Sequence, residues 1–340
     1  MNIKRFFAVF KARNIEFFRD KSSLGWNLFF PVLLLVGFSV IFSGEDRSAY
    51  KVGWVEETNE TQEKKLLNSF KDTRFIDFID YKNIEIAKGK LSRHSIDLVI
   101  DNQNKRYWVN DESTNSYLVE KIFSDKLEGF TRFKTSGKKI RYIDWVLPGI
   151  LGMNMMFSCL FGVGYVIVRY RKNAVLKRLK ATPLSAFEFV SAQLLSRLFI
   201  VMFTSVIVYS GCNLLFNFFM LGSYFDLFII GMLGAFCLIS LGLLVASRSK
   251  SEELIGGLLN VSSWPMMMLS GVWFSLEGSP QALKALADFL PLTHLVAGAR
   301  AVITEGATLG DISYHVNCLL VMSTIFLSLG AYLFSWNAER

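Results

Sequence analysis

The chain has 340 residues, of which 52% are hydrophobic, 14% aromatic and 19% charged, with a formal net charge of +8. Soluble domains average about 25% charged residues. Here the charges are concentrated between Glu45 and Asp144, and long blocks on either side carry almost none. Such blocks are typical of a membrane protein. The positive charges cluster beside apolar runs rather than on a soluble face, which argues against nucleic acid as a partner.

Residues 1–23 predict a cytoplasmic interfacial amphipathic helix. Its apolar positions are Ile3, Phe6, Phe7, Phe10, Phe17 and Phe18, with basic residues between them. Phenylalanine rings enter the headgroup boundary while the cations face anionic lipid. The same pattern is also expected if these basic residues only flank the following span on its cytoplasmic side. Two acids, Glu16 and Asp20, gain nothing from a lipid surface, so they favour a contact with a protein partner.

Six apolar runs are long enough to cross a bilayer, which takes about 20 residues. They are 24–44, 145–168, 186–216, 227–247, 254–276 and 312–338. The first is too long for a signal peptide and has no small-residue cleavage site after it, which indicates a retained anchor. We expect the fifth to be broken by the motif WPMMM. In the third, Arg197 lies about 13 Å along the helix, shallow enough to reach the interface or pair with Glu188.

Lysine and arginine in the short loops predict the orientation, because cytoplasmic loops carry an excess of them. With six spans, every basic loop falls on one side of the membrane. These loops precede span one, follow span two at 169–180 and follow span four at Arg248 and Lys250. We therefore expect a multi-pass protein of the cytoplasmic (inner) membrane, with both termini cytoplasmic and residues 45–143 outside.

The segment 45–143 is large enough to hold a small core, and its pattern predicts an extracytoplasmic α/β domain. Strands are expected at 50–57, 74–80, 95–101 and 105–110, and helices at 59–71 and 83–94. A long helix is expected from Ser113 to Lys134, leading back to the membrane.

Residues 170–184 predict a short helix on the cytoplasmic surface, with basic side chains around an apolar face. Pro183 ends this helix, and Ser185 with Glu188 forms a capping box that opens the third span. The segment is either a basic hairpin on lipid headgroups or a docking helix for a cytoplasmic protein. The apolar face comprises Val175, Leu176 and Leu179.

The sequence carries no motif for catalysis, cofactor binding or metal binding. It has no G-x-x-x-x-G-K-[ST] motif, hence no P-loop of its own for ATP. No acid lies mid-span, where a proton- or sodium-coupled carrier places ionisable groups. The cysteines fit neither zinc nor redox spacing, so we interpret them as packing residues and the histidines as solvated or interfacial. These residues are Cys159, Cys212, Cys237, Cys318, His94, His294 and His315.

Four stretches resemble a permease subunit of the ABC-2 type exporter family, in its drug- and lipid-exporting branch with a large outer insert. They are EFFRDKSSLGWNLFFPVLL at the start, VGWVEETNETQEKKLLNSF with SIDLVID in the insert, YRKNAVLKRLKATPLSAFEFVSAQLLSRL, and LSGVWFSLEGSPQALKALADFLPLTHLVAGARAVITEG. The resemblance covers essentially the whole chain. It departs from the family in RYRKNAVLKRL, which lacks the usual Glu-Arg and Gly-Thr and could alter partner choice.

The resemblance implies a mainly α membrane protein with six transmembrane helices, an amphipathic N-terminal helix and a small α/β domain between spans one and two. Residues 144–340 would hold spans two to six, a coupling helix at 170–184 and an outer re-entrant and amphipathic region at 277–311, with a surface helix at 282–290. The permease would assemble with a second copy, or a similar permease, and with a dimer of separate ATPase subunits that hold ATP and Mg.

The implied activity is export of a hydrophobic or amphipathic drug, lipid or peptide, energised by an ATPase docked on the coupling helix. Asn154, Asn260 and Trp264 could line the path, or simply pack. A non-transporting sensor or assembly scaffold, and an ion-coupled carrier, are the alternatives. The expected docking residues are Glu16, Arg19, Asp20, Arg171, Lys172, Val175, Leu176, Lys177, Arg178, Leu179, Thr182 and Pro183.

Overall fold

The computed structural model of the chain describes residues 3–41, 50–55, 76–81, 83–124, 129–137, 141–247, 251–276 and 279–334. The chain divides into two units, each with its own core. Phe42–Tyr142 is the insert unit, and Met1–Ile41 with Ile143–Arg340 is the helical unit. The helix predicted at 59–71 lies outside the described residues.

The elements follow in chain order. They are α1 (Ile3–Arg19), α2 (Lys21–Ile41), β1 (Tyr50–Val55), β2 (Ile76–Tyr81), α3 (Ile84–Ser92), β3 (Leu98–Asp101), β4 (Arg106–Asn110), α4 (Thr114–Ile122), β5 (Thr131–Thr135), α5 (Tyr142–Lys172), α6 (Val175–Lys180), α7 (Ala186–Phe216), α8 (Tyr224–Ala246), α9 (Glu252–Leu269), α10 (Gln281–Asp288), α11 (Pro291–Arg300), a π-helical turn (Ala301–Glu305) and α12 (Ser313–Leu333).

The insert unit is built on a five-stranded sheet with the order β2-β1-β3-β4-β5. Strand β1 pairs in parallel with β2 and β3, β3 pairs antiparallel with β4, and β4 pairs in parallel with β5. The sheet contains the four strands that the sequence predicts, and α3 lies within the helix predicted at 83–94.

Each face of this sheet carries its own apolar cluster, because successive side chains of a strand point to opposite faces. Helix α4 covers one cluster and α3 covers the other. The cluster under α4 comprises Val52, Trp54, Leu98, Ile100, Val109, Val119 and Phe123. The cluster under α3 comprises Val55, Ala87, Leu91, Ile96, Val99 and Trp108.

The long helix predicted from Ser113 to Lys134 is wrong. Helix α4 ends at Ile122, and Gly129 takes a left-handed φ of +86° before β5 begins. Strand β5 then pairs with β4, and the Phe133 ring stacks 5.3 Å from that of Trp108. Strand β5 has the sequence TRFKT, and its side chains are largely exposed. Phe133 is its only apolar residue, so the alternating pattern of a strand was too weak to outweigh the helical pattern.

Among the described residues of the helical unit, five helices are long and apolar enough to cross a membrane: α2, α5, α7, α8 and α12. The predicted spans one to four and six fall on these helices. Helix α5 lies at the centre of the packing, since 67% of its apolar stretch is buried, against 11% for α2 and 17% for α12. The outer helices α2 and α12 therefore present most of their apolar surface to lipid or to a partner.

Small residues bring the central helices into close contact. A Cβ on Gly242 of α8 would lie 3.2 Å from the Leu160 carbonyl oxygen of α5, and one on Gly330 of α12 would lie 3.1 Å from the Leu244 nitrogen of α8. Close backbone approach of this kind stabilises helix pairs in membranes through dispersion contacts.

The predicted fifth span differs from what the structure shows. Helix α9 has 18 residues and continues through Pro265, so WPMMM does not break it. It ends at Leu269 rather than Leu276, because the chain turns at Gly271 with φ +69°. At 1.5 Å per residue α9 is about 27 Å long, and it is not among the five helices that meet the length and hydropathy of a full span.

Helices α10 and α11, with the π-helical turn, form a pair bent by 99° within the region expected at 277–311. The pair is either one broken span, which would be the sixth among the described residues, or a re-entrant loop. Arg300 fixes the end of α11, because it donates to the carbonyls of Trp145 at 3.2 Å and Gly271 at 2.8 Å. Its guanidinium also lies 3.9 Å from the Trp145 ring centroid.

Candidate functional site

The basic segment between α5 and α7 folds as a separate short helix, α6. Ala174 precedes it with a left-handed φ of 54°, which reverses the chain after α5. Glu188 N–H donates to Ser185 Oγ at 3.1 Å, and Ser185 N–H donates to Glu188 Oε2 at 3.0 Å. The predicted capping box is therefore confirmed, and it defines where α7 begins.

Side chains of α6 and its flanks divide by exposure. Leu176 is fully buried in the main core of the helical unit, whereas Val175 and Leu179 are half-buried. Arg171 is buried too, and donates to the carbonyls of Ala246 at 3.3 Å and Ser247 at 2.9 Å at the end of α8. Among the expected docking residues, the exposed ones are Glu16, Arg19, Asp20, Lys172, Lys177, Arg178, Thr182 and Pro183.

This division corrects the expectation for two residues. Leu176 and Arg171 were expected on the docking surface, but both are buried. Leu176 fixes α6 in the core of the helical unit, and Arg171 fixes the end of α5 to the end of α8. On α6, Lys177, Arg178 and Lys180 are exposed. Just before α6, the Lys172 ammonium lies 3.5 Å from Glu252 of α9. The outward-facing part of the segment is therefore basic rather than apolar.

The end of α1 meets the end of α5 through a polar cluster. Arg13 donates to Glu16 Oε2 at 2.5 Å and to the Tyr170 hydroxyl at 3.0 Å, and Tyr170 donates to Glu16 Oε2 at 2.6 Å. Asp20 caps α2 by accepting from Ser23 N–H at 3.0 Å and from Ser23 Oγ at 2.5 Å. These bonds to Ser23 lower the pKa of Asp20.

Glu16 and Asp20 therefore have partners inside the chain. Arg13, Tyr170 and Ser23 account for both carboxylates within the chain, so a protein partner is not needed to explain these charges. Both residues remain exposed, so a contact with a partner is still compatible with the structure.

Helix α1 packs along α7 as well as facing outward. The rings of Phe10 and Phe199 lie 6.2 Å apart, and those of Phe18 and Phe203 lie 5.7 Å apart in an edge-on arrangement. Arg5 donates to the carbonyl of Pro183 between α6 and α7. The apolar residues of α1, which the sequence pattern placed in lipid, are thus of two kinds: some pack against the rest of the protein and others are exposed. Phe6 and Phe17 are buried, while Ile3 and Phe7 are exposed.

Arg197 of α7 neither reaches an interface nor pairs with Glu188. It is 8% exposed, donates to the carbonyl of Ser158 and donates to Ser158 Oγ at 2.7 Å on α5. Its guanidinium carbon lies 5.7 Å from the ring centroid of Phe17 on α1. Glu188 is nine residues away on α7, about 13 Å along the helix, and its carboxylate accepts from Ser185 N–H in the capping box, so the predicted ion pair does not form.

A cavity of about 630 Å³ lies between α1, α2, α5 and α7. Arg197 and Asn154 line it, together with aromatic side chains of α2 and α5. Asn260 and Trp264, the other two residues proposed for the path, do not line this cavity. Both lie on exposed positions of α9, where the Asn260 amide donates to the Gly256 carbonyl at 2.9 Å. The structure therefore separates Asn154 from the other two.

The comparison with known families decides what kind of protein carries this arrangement. The family model described as ABC-2 type transporter matches residues 94–304, more than half of the chain. The chain belongs to the ABC-2 type transporter family. Proteins of this family are membrane components of ABC transporters, so the apolar helices described above are those of an integral membrane permease.

Three curated relatives agree with the family. This ABC-2 permease is 28% identical over 160 residues to the inner membrane transport permease YhhJ of Escherichia coli K12, covering 45% of this chain and 41% of that protein. It is 23% identical over 215 residues to the linearmycin resistance permease protein LnrN of Bacillus subtilis 168, covering 63% and 53%. It is 22% identical over 195 residues to the probable multidrug ABC transporter permease YbhS of Escherichia coli K12, covering 56% and 48%. The chain spans about half the length of the curated relatives it matches.

Three residues of this permease's site were not found by sequence reasoning: Arg5, Arg13 and Tyr170. The Arg13–Glu16 pair has i, i+3 spacing, which is a readable signal for a helical ion pair. Tyr170 lies 154 positions from Glu16, and Arg5 lies 178 positions from Pro183. No local pattern encodes such contacts, since they depend on how α1 folds back along α7.

Proposed function

We propose that this permease is the membrane subunit of an ATP-driven exporter, and that a separate ATPase docks on α6. The observation that carries the proposal is the division of α6 into an anchored side at Leu176 and an exposed basic side at Lys177, Arg178 and Lys180. Exposed cations on a rigid helix suit an acidic groove of a partner better than a lipid surface. The reason is that Leu176 is buried in the core and therefore cannot insert into lipid. ATP and Mg would be held by that partner.

The contacts around α6 supply a route for force from the partner into the membrane. A rigid helix transmits displacement only through what it is packed against. Leu176 of α6 is buried in the core of the helical unit, and Arg171 ties the end of α5, just before α6, to the end of α8. The turn after α6 is tied to α1 through Arg5 and Pro183. Closure of the ATPase would therefore move Val175–Lys180 and the Glu16–Asp20 region together and tilt the spans attached to them.

The proposed membrane orientation follows from where the cations lie. The exposed basic residues of α1 and α6 would face the cytoplasm. Residues 45–143 would then lie outside, the termini would be cytoplasmic, and the protein would reside in the inner membrane. The bent pair α10 and α11 would be the outer re-entrant region, and α1 would lie along the cytoplasmic interface with Phe7 and Ile3 in the headgroup layer.

A second permease, either another copy or a similar chain, would cover α2. Only 11% of its apolar stretch is buried within the chain. Substrate would pass between the two permeases toward the outer insert units.

The proposed substrate class is a hydrophobic or amphipathic molecule, such as a drug, lipid or peptide. The names of two relatives support this class, because one is a linearmycin resistance permease and the other a probable multidrug permease. The walls of the cavity beside α5 support it as well, since six aromatic side chains line it together with charged and polar ones.

Copurification from native membranes tests the docking surface. We expect an ATPase to copurify with the tagged wild-type chain and to be lost when Arg178→Glu reverses an exposed charge on α6. Lys284→Glu is the matched control, because Lys284 is an exposed cation on α10. It should leave the ATPase bound.

The alternatives make different predictions. Absence of any ATPase from the wild-type preparation would favour a sensor or scaffold, and retention of the ATPase by Arg178→Glu would remove α6 as the docking helix. An ion-coupled carrier would transport in vesicles on an ion gradient with no ATPase present.

A further inference from the structure

Arg197 is a buried cation without a counter-charge. In the part of the chain that the structure describes, no carboxylate lies within ion-pair distance of it, and its Nε has no hydrogen-bond partner. An uncompensated guanidinium inside an apolar helix bundle is costly to bury. The cost is tolerated at functional positions, where the missing charge is supplied by a ligand. Arg197 lines the cavity described above, so a ligand in that cavity can reach it.

The position of the guanidinium is built into α5. Ser158 holds one end of it through its carbonyl and hydroxyl oxygens. Gly162, one turn further along α5, provides the space, because a Cβ at that residue would overlap the Arg197 guanidinium. The cation is thus held against the α5 backbone at a fixed place rather than left free to move toward water.

The charges that line the cavity leave a positive excess. Three arginines line it against two carboxylates, a net charge of +1. Arg13 is paired with Glu16 at 2.5 Å, and Asp20, which also accepts from Ser23, is close enough to Arg169 for an electrostatic interaction. The uncompensated charge therefore belongs to the side of the cavity that Arg197 occupies.

The other walls are aromatic. Phe157, Phe161 and Tyr165 follow one another at i, i+4 and i+8 along α5, with ring centroids 5.7 Å apart in each step. Trp26 and Phe30 of α2 also line the cavity, and their rings stack with 5.6 Å between centroids. A small inorganic anion would satisfy Arg197 but leave these rings uncovered. A molecule with an anionic head and an apolar body satisfies both.

We infer that this cavity is a binding site for a single amphiphile, with its phosphate or carboxylate head on Arg197 and its apolar body against the aromatic row of α5. Guanidinium groups form strong charge-assisted hydrogen bonds to such heads. The inference rests on the proposed function for the step from binding to export, since it names the class of substrate. Binding itself needs neither ATP nor an ATPase.

Binding to the purified full-length chain in detergent tests the site. The probes are pyrene-labelled phosphatidylglycerol and pyrene-labelled diacylglycerol, which differ in head charge, measured by energy transfer from tryptophan. We expect wild type to bind the phosphatidylglycerol about tenfold more tightly than the diacylglycerol. Arg197→Gln should remove that difference and leave diacylglycerol binding unchanged. Inorganic phosphate should not displace the lipid, and displacement would overturn the amphiphile assignment in favour of a simple anion site.

Lys284→Gln is the control, because it removes an exposed cation on α10 that does not line the cavity. It should bind both lipids as wild type does. If Arg197→Gln fails to give a monodisperse protein, Gly162→Ala provides a second test. That change keeps the charge and displaces the guanidinium, so it should weaken phosphatidylglycerol binding selectively.

Three results would overturn the inference. They are equal binding of both lipids by wild type, unchanged phosphatidylglycerol binding by both cavity variants, and an equal loss in Lys284→Gln. Selective lipid binding by a chain that captures no ATPase would keep this site and remove the exporter function, so the two proposals fail separately.

Discussion

The Tyr170 hydroxyl, at the end of α5, donates to Glu16 Oε2 of α1 at 2.6 Å. Arg13 completes the cluster, because it donates to both groups and its guanidinium carbon lies 5.3 Å from the Tyr170 ring centroid. Four residues beyond Tyr170 the chain turns into α6. The cluster therefore links α1 to the helix that precedes the proposed docking segment.

Removing the Tyr170 hydroxyl should loosen α1 without unfolding the permease. Hydrogen bonds to charged groups contribute more than neutral ones, but Glu16 is nearly half exposed, so we expect Tyr170→Phe to cost about 1 kcal/mol. Hydrogen exchange should accelerate in α1 and stay unchanged in α8. Tyr332→Phe, at an exposed position of α12, is the control. Unaltered exchange in α1 of the Tyr170 variant would mean that the cluster does not hold the helix.

Two leucines of α6 should differ sharply in their contribution to stability. Leu176 is fully buried, whereas Leu179 on the same helix is half-buried. Leu176→Ala removes core packing and leaves a cavity, so we expect a loss of about 2–5 kcal/mol. Leu179→Ala should cost about 1 kcal/mol. Thermal unfolding in detergent measures both, and equal effects would contradict the assignment of Leu176 as the anchor.

The sequence was most informative where the signal is local and repeated. Long apolar runs predicted five of the spans, and the Ser185–Glu188 spacing predicted the cap of α7. The strand alternation in 50–55 and 98–110 predicted the centre of the sheet. Each of these depends on neighbours within a few residues, so the pattern is complete in the sequence itself.

The sequence failed where tertiary contacts decide. Strand β5 is exposed, and only its pairing with β4 makes it a strand. Arg197 seemed free to reach an interface, but Ser158 and the space at Gly162 hold it inside. Leu176 and Leu179 look equivalent on a helical wheel, yet the core of the helical unit buries only the first fully. These outcomes depend on residues far away in the chain.

Arg132 should hold the edge strand β5 onto the insert unit. It donates to Glu120 Oε1 at 2.7 Å and to Asp111 Oδ1 at 2.8 Å. Arg132→Met should therefore accelerate hydrogen exchange in β5 about two- to fivefold. Lys134→Met, which removes a more exposed contact to Asp111, should have a smaller effect. An equal effect of the two variants would contradict a special role for Arg132.

The same edge should respond to acid. The hydrogen bonds from Lys134 and then Arg132 lower the pKa of Asp111. An acid whose pKa is lower in the folded state stabilises the fold above its unfolded pKa of about 3.9. That stabilisation is lost as the pH falls through the lower, folded value. The protection factors of β5 amides, which correct for the intrinsic pH dependence of exchange, should thus fall below pH 4 in wild type, and Asp111→Asn should remove most of this dependence.

The exposed face of α2 should meet a second permease. Trp26, Phe29, Leu33 and Val36 are all exposed and repeat at i, i+3, i+7 and i+10. This is the stripe by which two helices pack side by side. In a two-fold dimer such a stripe contacts its own copy, so the same residue from each chain approaches within disulfide reach.

Cysteine cross-linking in native membranes measures this contact. In a Cys318→Ala background, whose other cysteines are buried, cysteine at Phe29, Leu33 or Val36 should give a covalent dimer on mild oxidation. Cysteine at Val321 is the control, because this position is equally exposed but lies on α12. Cross-linking that is equal at Val321, or absent at all three α2 positions, would exclude α2 as the self-pairing helix. A dimer that forms only when a similar permease is coexpressed would instead indicate that α2 pairs with a different chain.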